Sequence, residues 1–249
     1  QWMINYQDIR ILIATSTEEK ARMIVTEIKS HFQYNPRFRN LYPEFCPQKS
    51  ISDFGSQTEF TVPNRQQRFK EPTIMTAAVG KALASTHHDV IKCSDVVTEN
   101  NIRTQGQIQE VKEWFGWLDP LRERYKTEGL PNPGWLDVEG TIYDFGDFYQ
   151  STLDEIEKGN MPWWRVTKRS CCVDKDKKQA LWPERFPPAQ LARIKAQIGP
   201  VLFASQYELN PIRTEEGLAS PNEIRFFPAH LVGQLRGRYR IHTTVDLAD

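Results

Sequence analysis

The residues best placed to do chemistry are a serine–aspartate pair, a glycine–threonine pair and a late aspartate. Residues 87–101 read His-His-Asp-Val-Ile-Lys-Cys-Ser-Asp-Val-Val-Thr-Glu-Asn-Asn. A short apolar-leaning run, 90–93, ends on Ser94 and Asp95. A strand buried in a parallel sheet delivers polar side chains at its C-terminal tip. An acid there can hold Mg²⁺ or orient the water that attacks a γ-phosphate. The Ser94 hydroxyl can contact a metal, usually through water, but supplies no charge. That leaves Asp95 as the candidate base. The plain alternative is that Asp95 only caps the loop after the strand.

Gly140 and Thr141 close the next strand-like run. A threonine hydroxyl at that point can sense a γ-phosphate or the attacking water and pass its state to the following loop. An ordinary strand-to-turn Gly-Thr is the alternative. Asp144 and Asp147 are expected to organise the turn and cap the helix that starts at Phe148. His87, His88, Asp89 and Cys93 could suggest zinc. Adjacent histidines on a strand point to opposite faces and do not easily share one ion. His87 and Asp89 are read instead as structure at the start of the strand. Lys92 breaks the apolar pattern and is expected to snorkel at an edge.

The elements that must position these residues alternate. Residues 9–14 form an apolar run broken only at Arg10, as expected of a strand buried on both faces. Ser16-x-x-Glu19 reads as a capping box. It opens a helix with Ala21, Ile24, Val25, Ile28 and Phe32 at helical spacing. A loop-rich span, 35–68, contains a short strand near 60–62. Strands are expected at 73–79, 90–93, 135–138 and 165–173. Helices are expected at 108–125, at 148–158 ending on Gly159, and from Pro187-Pro188 to Gly199. The last strand is 238–247, in which Tyr239, Ile241, Thr243 and Val245 alternate with Arg240, His242, Thr244 and Asp246. Strands alternating with helices indicate an α/β fold with a mainly parallel sheet.

Lys+Arg and Asp+Glu both number 32, so the net charge is zero. A protein coating nucleic acid with its whole surface would be basic. Any such contact must use a local patch. Arg65, Arg68 and Lys70 beside Phe69, or Arg236, Arg238 and Arg240, could meet phosphates; solvated surface charge is the plainer reading of both. No apolar run approaches the roughly 20 residues of a membrane span. The four cysteines show neither C-x-x-C nor zinc spacing, and are read as reduced thiols.

The order of segments resembles the large subunit of a tailed-phage terminase. Residues 10–21, Arg-Ile-Leu-Ile-Ala-Thr-Ser-Thr-Glu-Glu-Lys-Ala, are similar to the strand and helix after that family's phosphate-binding loop. Residues 87–101 resemble its Walker B strand, and Gly140-Thr-Ile-Tyr-Asp-Phe-Gly-Asp-Phe-Tyr149 its coupling motif. Residues 181–186 and 203–211 resemble the segment joining motor to nuclease, and 243–248 the nuclease's first strand.

The resemblance implies a P-loop NTPase of the ASCE type, then a helical linker, then the start of an RNase-H-like nuclease. The expected divisions are a partial motor at 1–180, a linker at 181–235 and the nuclease start at 236–249. The chain is expected to be a fragment. It would begin after the Walker A loop and end inside the nuclease's first hairpin. The implied function is ATP-driven translocation of double-stranded DNA into a capsid, with endonuclease cleavage of the genome. The implied cofactors are ATP and Mg²⁺, with Mg²⁺ or Mn²⁺ at the nuclease. Asp95 and Thr141 take the catalytic places, and Ser94 and Gly140 the nucleotide-binding ones. Asp246 and Asp249 would contribute to a two-metal site, which needs further carboxylates; the 249-residue chain alone is expected to be inactive. Duplex DNA, a terminase small subunit and a portal protein are the implied partners, with a homo-oligomeric ring on the portal. The implied location is the host cytoplasm, with no membrane. A non-catalytic assembly module is the rival reading, since Ser94 stands where the family carries an acid.

Overall fold

The computed structural model describes residues 1–48, 54–81, 85–125, 128–131, 133–174 and 179–212. Asp246, Asp249, the expected strand 238–247 and the arginines at 236, 238 and 240 lie outside the described residues.

A short helix, α1 (Trp2–Asn5), leads into strand β1 (Ile11–Thr15), which is buried along its whole length. Helix α2 (Glu18–Tyr34) returns over the sheet. Its cap is Thr17, whose hydroxyl accepts from the Lys20 N–H, and not Ser16. The capping-box reading was thus one residue early. Helix α3 (Pro36–Leu41), a 3₁₀ turn (Pro43–Phe45) and the two-residue strand β2 (Glu59–Phe60) follow. Strands β3 (Ile74–Ala78) and β4 (Val90–Ser94) come next. After helix α4 (Gln105–Gly116) the chain reaches β5 (Trp135–Glu139) and helix α5 (Phe148–Glu157).

These strands form one sheet in the order β2-β3-β1-β4-β5. All pairs are parallel except β2 against β3. The protein is therefore α/β, with a mostly parallel sheet and flanking helices. Alternation along β1 divides the core. Leu12 and Ala14 join Ile91, Cys93, Val111, Trp114 and Phe148 on one face. Ile11 and Ile13 join Val25, Phe32, Ile74 and Val90 on the other. A strand covered on both faces has no polar side, which is why its sequence reads as an unbroken apolar run.

Helix α4 is shorter than the periodicity suggests. Leu118 and Leu121 keep the apolar spacing and still face the core, but the helix ends at Gly116. Pro120 disfavours helical backbone at the residue before it, and the chain turns through a 3₁₀ segment, Asp119–Leu121. The expected strand at 165–173 shrinks to β6 (Cys172–Asp174), paired with β7 (Gln179–Ala180). Residues 164–169 have no sheet neighbour, and Arg165, Lys168 and Arg169 are exposed. Helices α6 (Pro188–Ile198) and α7 (Pro200–Gln206) complete the described chain, packing Leu191 and Phe203 with Ala180. Residues Gln1–Ile212 form one compact unit.

The N-terminal ends of β1 and β4 are tied by buried charge. Asp89 accepts from the Arg10 backbone N–H at 2.8 Å, from Nε at 3.0 Å and from an Nη at 2.9 Å. Glu123 takes a further Arg10 N–H at 3.1 Å. Arg10 and Arg65 both approach the Phe69 ring, their guanidinium carbons 4.5 and 5.1 Å from its centroid. Arg65 also donates to the Glu71 carbonyl at 2.7 Å. Arg65 is thus committed to the core's edge and is not part of a free cationic surface.

His88 beside this cluster is fully buried, with Nε2 3.1 Å from the Thr86 hydroxyl. Burial pushes its imidazole down to about 4, against the pull of Glu71 and with the help of Arg10 and His87. The unfolded chain takes up this proton near pH 6.5 and the folded chain refuses it until about 4. The stability His88 contributes is therefore complete above pH 6.5 and is lost as pH falls toward 4. The expected loss is about 2 kcal/mol by pH 5. Urea unfolding at pH 7 and 5 checks it, since His88→Phe should flatten that dependence.

Candidate functional site

The tips of β4 and β5 are locked together before any ligand is considered. Glu139 ends β5, and its carbonyl accepts from the Asp95 N–H at 3.1 Å and from the Tyr149 hydroxyl at 2.9 Å. The same hydroxyl accepts from the Val96 N–H at 3.1 Å. Asn101 shapes the loop after β4 by donating to the Val96 carbonyl and accepting from the Thr98 N–H, both at 2.8 Å. The loop after β5 hangs on Asp147. Its carboxylate accepts from the backbone N–H groups of Tyr143, Asp144 and Gln150. Burial nevertheless holds this carboxyl above its usual range. Asp144 accepts from the Gly146 N–H. The expected turn and capping roles of Asp144 and Asp147 are both present.

These locks deliver Asp95 and Thr141 to one cleft of about 410 Å³. Lys20, from the first turn of α2, lines it too, as do Thr98, Glu99 and Tyr143. Gln206 and Tyr207 close it from the end of α7. Asp95 has φ +50°, the left-handed region that asparagine and aspartate tolerate best. Among the described residues its exposed carboxylate engages no hydrogen bond or ion pair. Burial, then the carboxylates of Glu99 and Asp95, raise the Tyr143 phenol. Tyr143 therefore stays a neutral donor at physiological pH. The cleft sits outside the carboxyl ends of parallel strands, where the chain passes from β1 to β3 on one side and returns to β4 on the other. Open α/β sheets bind ligands at such a switch point. No protein-family model matches this chain, and no curated protein does either.

Ser94 and Gly140 are not among the residues lining this cleft. The Ser94 hydroxyl donates to Glu139 Oε1 at 3.1 Å. Lys92 sits 2.7 Å from the other Glu139 oxygen and 2.8 Å from Asp137. Lys92 thus neutralises the acids nearest Ser94 rather than snorkelling into solvent. Gly140 works through its missing side chain. A Cβ there would overlap the Tyr149 ring, which is buried and held at both ends of its hydroxyl. Gly140→Ala should therefore dislodge Tyr149 and free the Val96 and Glu139 partners. The expected cost is about 1–3 kcal/mol. Thermal unfolding checks this; an unchanged midpoint would mean the ring can give way freely.

Of the predicted site residues, the structure brings together Asp95 and Thr141. Lys20, Glu99, Tyr143, Gln206 and Tyr207 were missed. Lys20 and Tyr143 had a signal, since each lies within a few residues of a strand tip. Gln206 and Tyr207 had none, because α7 reaches the cleft only through tertiary packing. Ser205 beside them donates to the Ile142 carbonyl at 2.9 Å.

All four thiols are free. Burial pushes Cys93 up to about 12. Burial and its neighbour Cys172 do the same to Cys171. Neither ionises near neutrality, and thiolate is the reactive form.

Proposed function

We propose that this chain carries the hydrolytic side of an ATP site, in a motor of the terminase large-subunit type. The observation that carries the proposal is the convergence of Asp95 and Thr141, from the tips of two adjacent strands, on one cleft. A carboxylate and a threonine hydroxyl lining the same cleft suit the in-line attack of water on phosphorus. Asp95 accepts a proton from water as that oxygen bonds to the γ-phosphorus. The bond to the β–γ bridging oxygen breaks, and ADP leaves with its electron pair. Thr141 donates to the γ-phosphoryl oxygens or to the water. Lys20 offers a positive charge from the first turn of α2, where the helix dipole also favours anions.

The donor set bears on Mg²⁺. Ser94 does not fit an ion in this cleft, because it does not line it and its hydroxyl turns instead to Glu139. Glu99 does fit, as a hard oxygen donor lining the cleft, and Asp95 is left to the water. Such an ion takes one or two carboxylates, with phosphate oxygens and waters for the rest. When bound, it would neutralise charge developing on the phosphates.

The wider role rests on the order of motifs along the chain. The proposal includes translocation of double-stranded DNA into a capsid, contact with a small subunit and a portal, and a nuclease half reached through Asp246 and Asp249. Phosphate release from ATP by the full-length gene product tests the motor. Thr141→Val should slow it by about tenfold or more, because a donor aimed at developing charge is lost. Release that is absent from the wild-type protein, or unaltered by the substitution, would overturn the proposal.

A further inference from the structure

Cys171 and Cys172 are neighbours in sequence, and their sulfurs stand 3.6 Å apart. Adjacent side chains on a regular strand point to opposite faces, which would keep such thiols well separated. Here Cys171 lies in a bend just before β6, and the register of β6 against β7 shifts between Cys172 and Asp174. The backbone around the pair is held in place. The Cys171 N–H donates to the Tyr207 carbonyl at 2.6 Å, and the Cys171 carbonyl accepts from the Leu181 N–H at 2.8 Å. The Ser170 hydroxyl donates to the Cys172 carbonyl at 2.6 Å. Both cysteines are half-buried and pack against Ala180, Leu191 and Phe203. Cys46 and Cys93 are buried, which leaves the adjacent pair as the thiols that a reagent reaches.

Geometry selects what the pair can bind. A disulfide needs sulfurs about 2 Å apart and Cα atoms usually at least about 4.4 Å apart, whereas consecutive Cα atoms are about 3.8 Å apart. One atom bonded to both sulfurs at about 2.3 Å, the length of a zinc–sulfur bond, spans 3.6 Å at close to a tetrahedral angle. Zinc itself takes four ligands. Among the described residues no three His, Cys, Asp or Glu side chains are grouped to hold such an ion. An arsenic(III) centre that carries one organic group needs only two sulfurs. We propose that Cys171 and Cys172 capture organic trivalent arsenicals as a cyclic dithioarsenite. Each thiol proton passes to an arsenic-bound hydroxyl, two waters leave, and two As–S bonds replace two As–O bonds. Arsenic stays trivalent, and no oxidant or standing thiolate is needed. The apolar residues around the pair receive the organic group. The site is one hydrogen bond from the Asp95 cleft, because Tyr207, whose carbonyl holds the Cys171 N–H, lines that cleft. It stands independently of the hydrolytic reading of the cleft.

The probe is phenylarsine oxide, added to the reduced chain, with intact mass and peptide mapping as readouts. A single phenylarsenic group per chain should appear, on the peptide that bears both cysteines. Dithiothreitol should remove it, while a monothiol at the same thiol concentration should not, since only a dithiol can replace the chelate. Cys171→Ser and Cys172→Ser should each weaken capture by about 100-fold or more, because the second bond is no longer intramolecular. Cys46→Ser should capture the probe as wild type does. Either adjacent-cysteine variant binding within about threefold of wild type overturns the proposal. The wild-type mapping and the dithiol reversal need no variant, and an adduct on Cys46 or Cys93 overturns it as well. Two further results would do the same: zinc held in preference to the arsenical, or closure of the pair to a disulfide in air that leaves no thiols to capture the probe.

Discussion

Replacing Asp95 with asparagine is expected to slow ATP hydrolysis by about 10²–10⁴-fold while leaving ATP affinity within about twofold. Asparagine keeps the size of the side chain and tolerates the left-handed backbone at this position, φ +50°, which alanine would strain. The change therefore isolates the carboxylate's chemistry from the loop's shape. Binding should survive, because a carboxylate repels phosphate and does not hold it. A second readout separates a lost base from a distorted loop. The Asp95 charge helps hold the Tyr143 phenol up, so its removal should lower that phenol's titration in ultraviolet absorbance. Single-turnover phosphate release and equilibrium nucleotide binding decide the matter. Hydrolysis within twofold of wild type would remove Asp95 from the reaction and leave it as a loop residue.

The sheet was legible because burial on both faces writes itself into composition. Residues 9–14 could not be other than a covered strand, and β1, β3, β4 and β5 all fall within one or two residues of the expected ranges. Helix ends were less legible where two rules competed. At α4 the apolar period ran on through Leu118 and Leu121, but Pro120 decided where the helix stopped. At α2 the cap expected at Ser16 falls on Thr17, which accepts from the Lys20 N–H, one residue beyond the Glu19 N–H that a Ser16 cap would take. The strand expected at 165–173 misled in the opposite way, since residues 164–169 have no neighbouring strand to pair with. Asp95 and Thr141 could be read locally because each sits at a strand tip. Gln206 and Tyr207 could not, because α7 reaches the cleft only through packing between segments far apart in sequence. Arg10 was invisible as well. A single arginine inside an apolar run gives no sign that it will be buried against Asp89, 79 residues away.

That arginine supports the largest expected change in stability. Asp89→Ala should destabilise the sheet by about 3–5 kcal/mol, because it leaves the Arg10 guanidinium buried without its bidentate partner. The Arg10 backbone N–H loses its acceptor in the same step. Glu123, at 3.1 Å, and Glu71, at 3.9 Å, compensate in part, but neither replaces the paired hydrogen bonds. For a domain of this size the midpoint of thermal unfolding should fall by roughly 10 °C. The cluster lies at the N-terminal ends of β1 and β4, while the candidate cleft lies at their C-terminal ends. Protein still folded at low temperature should therefore keep its nucleotide affinity. Removing both partners separates an unpaired charge from a lost tie. Arg10→Met with Asp89→Leu should recover much of the loss, because a buried ion pair replaced by apolar groups costs far less than one broken. If the double variant is as unstable as Asp89→Ala, the penalty arises from the missing hydrogen bonds between β1 and β4 rather than from stranded charge. If Asp89→Ala itself costs less than about 1 kcal/mol, Arg10 reaches solvent or another acid, and the two strands are held by apolar packing alone.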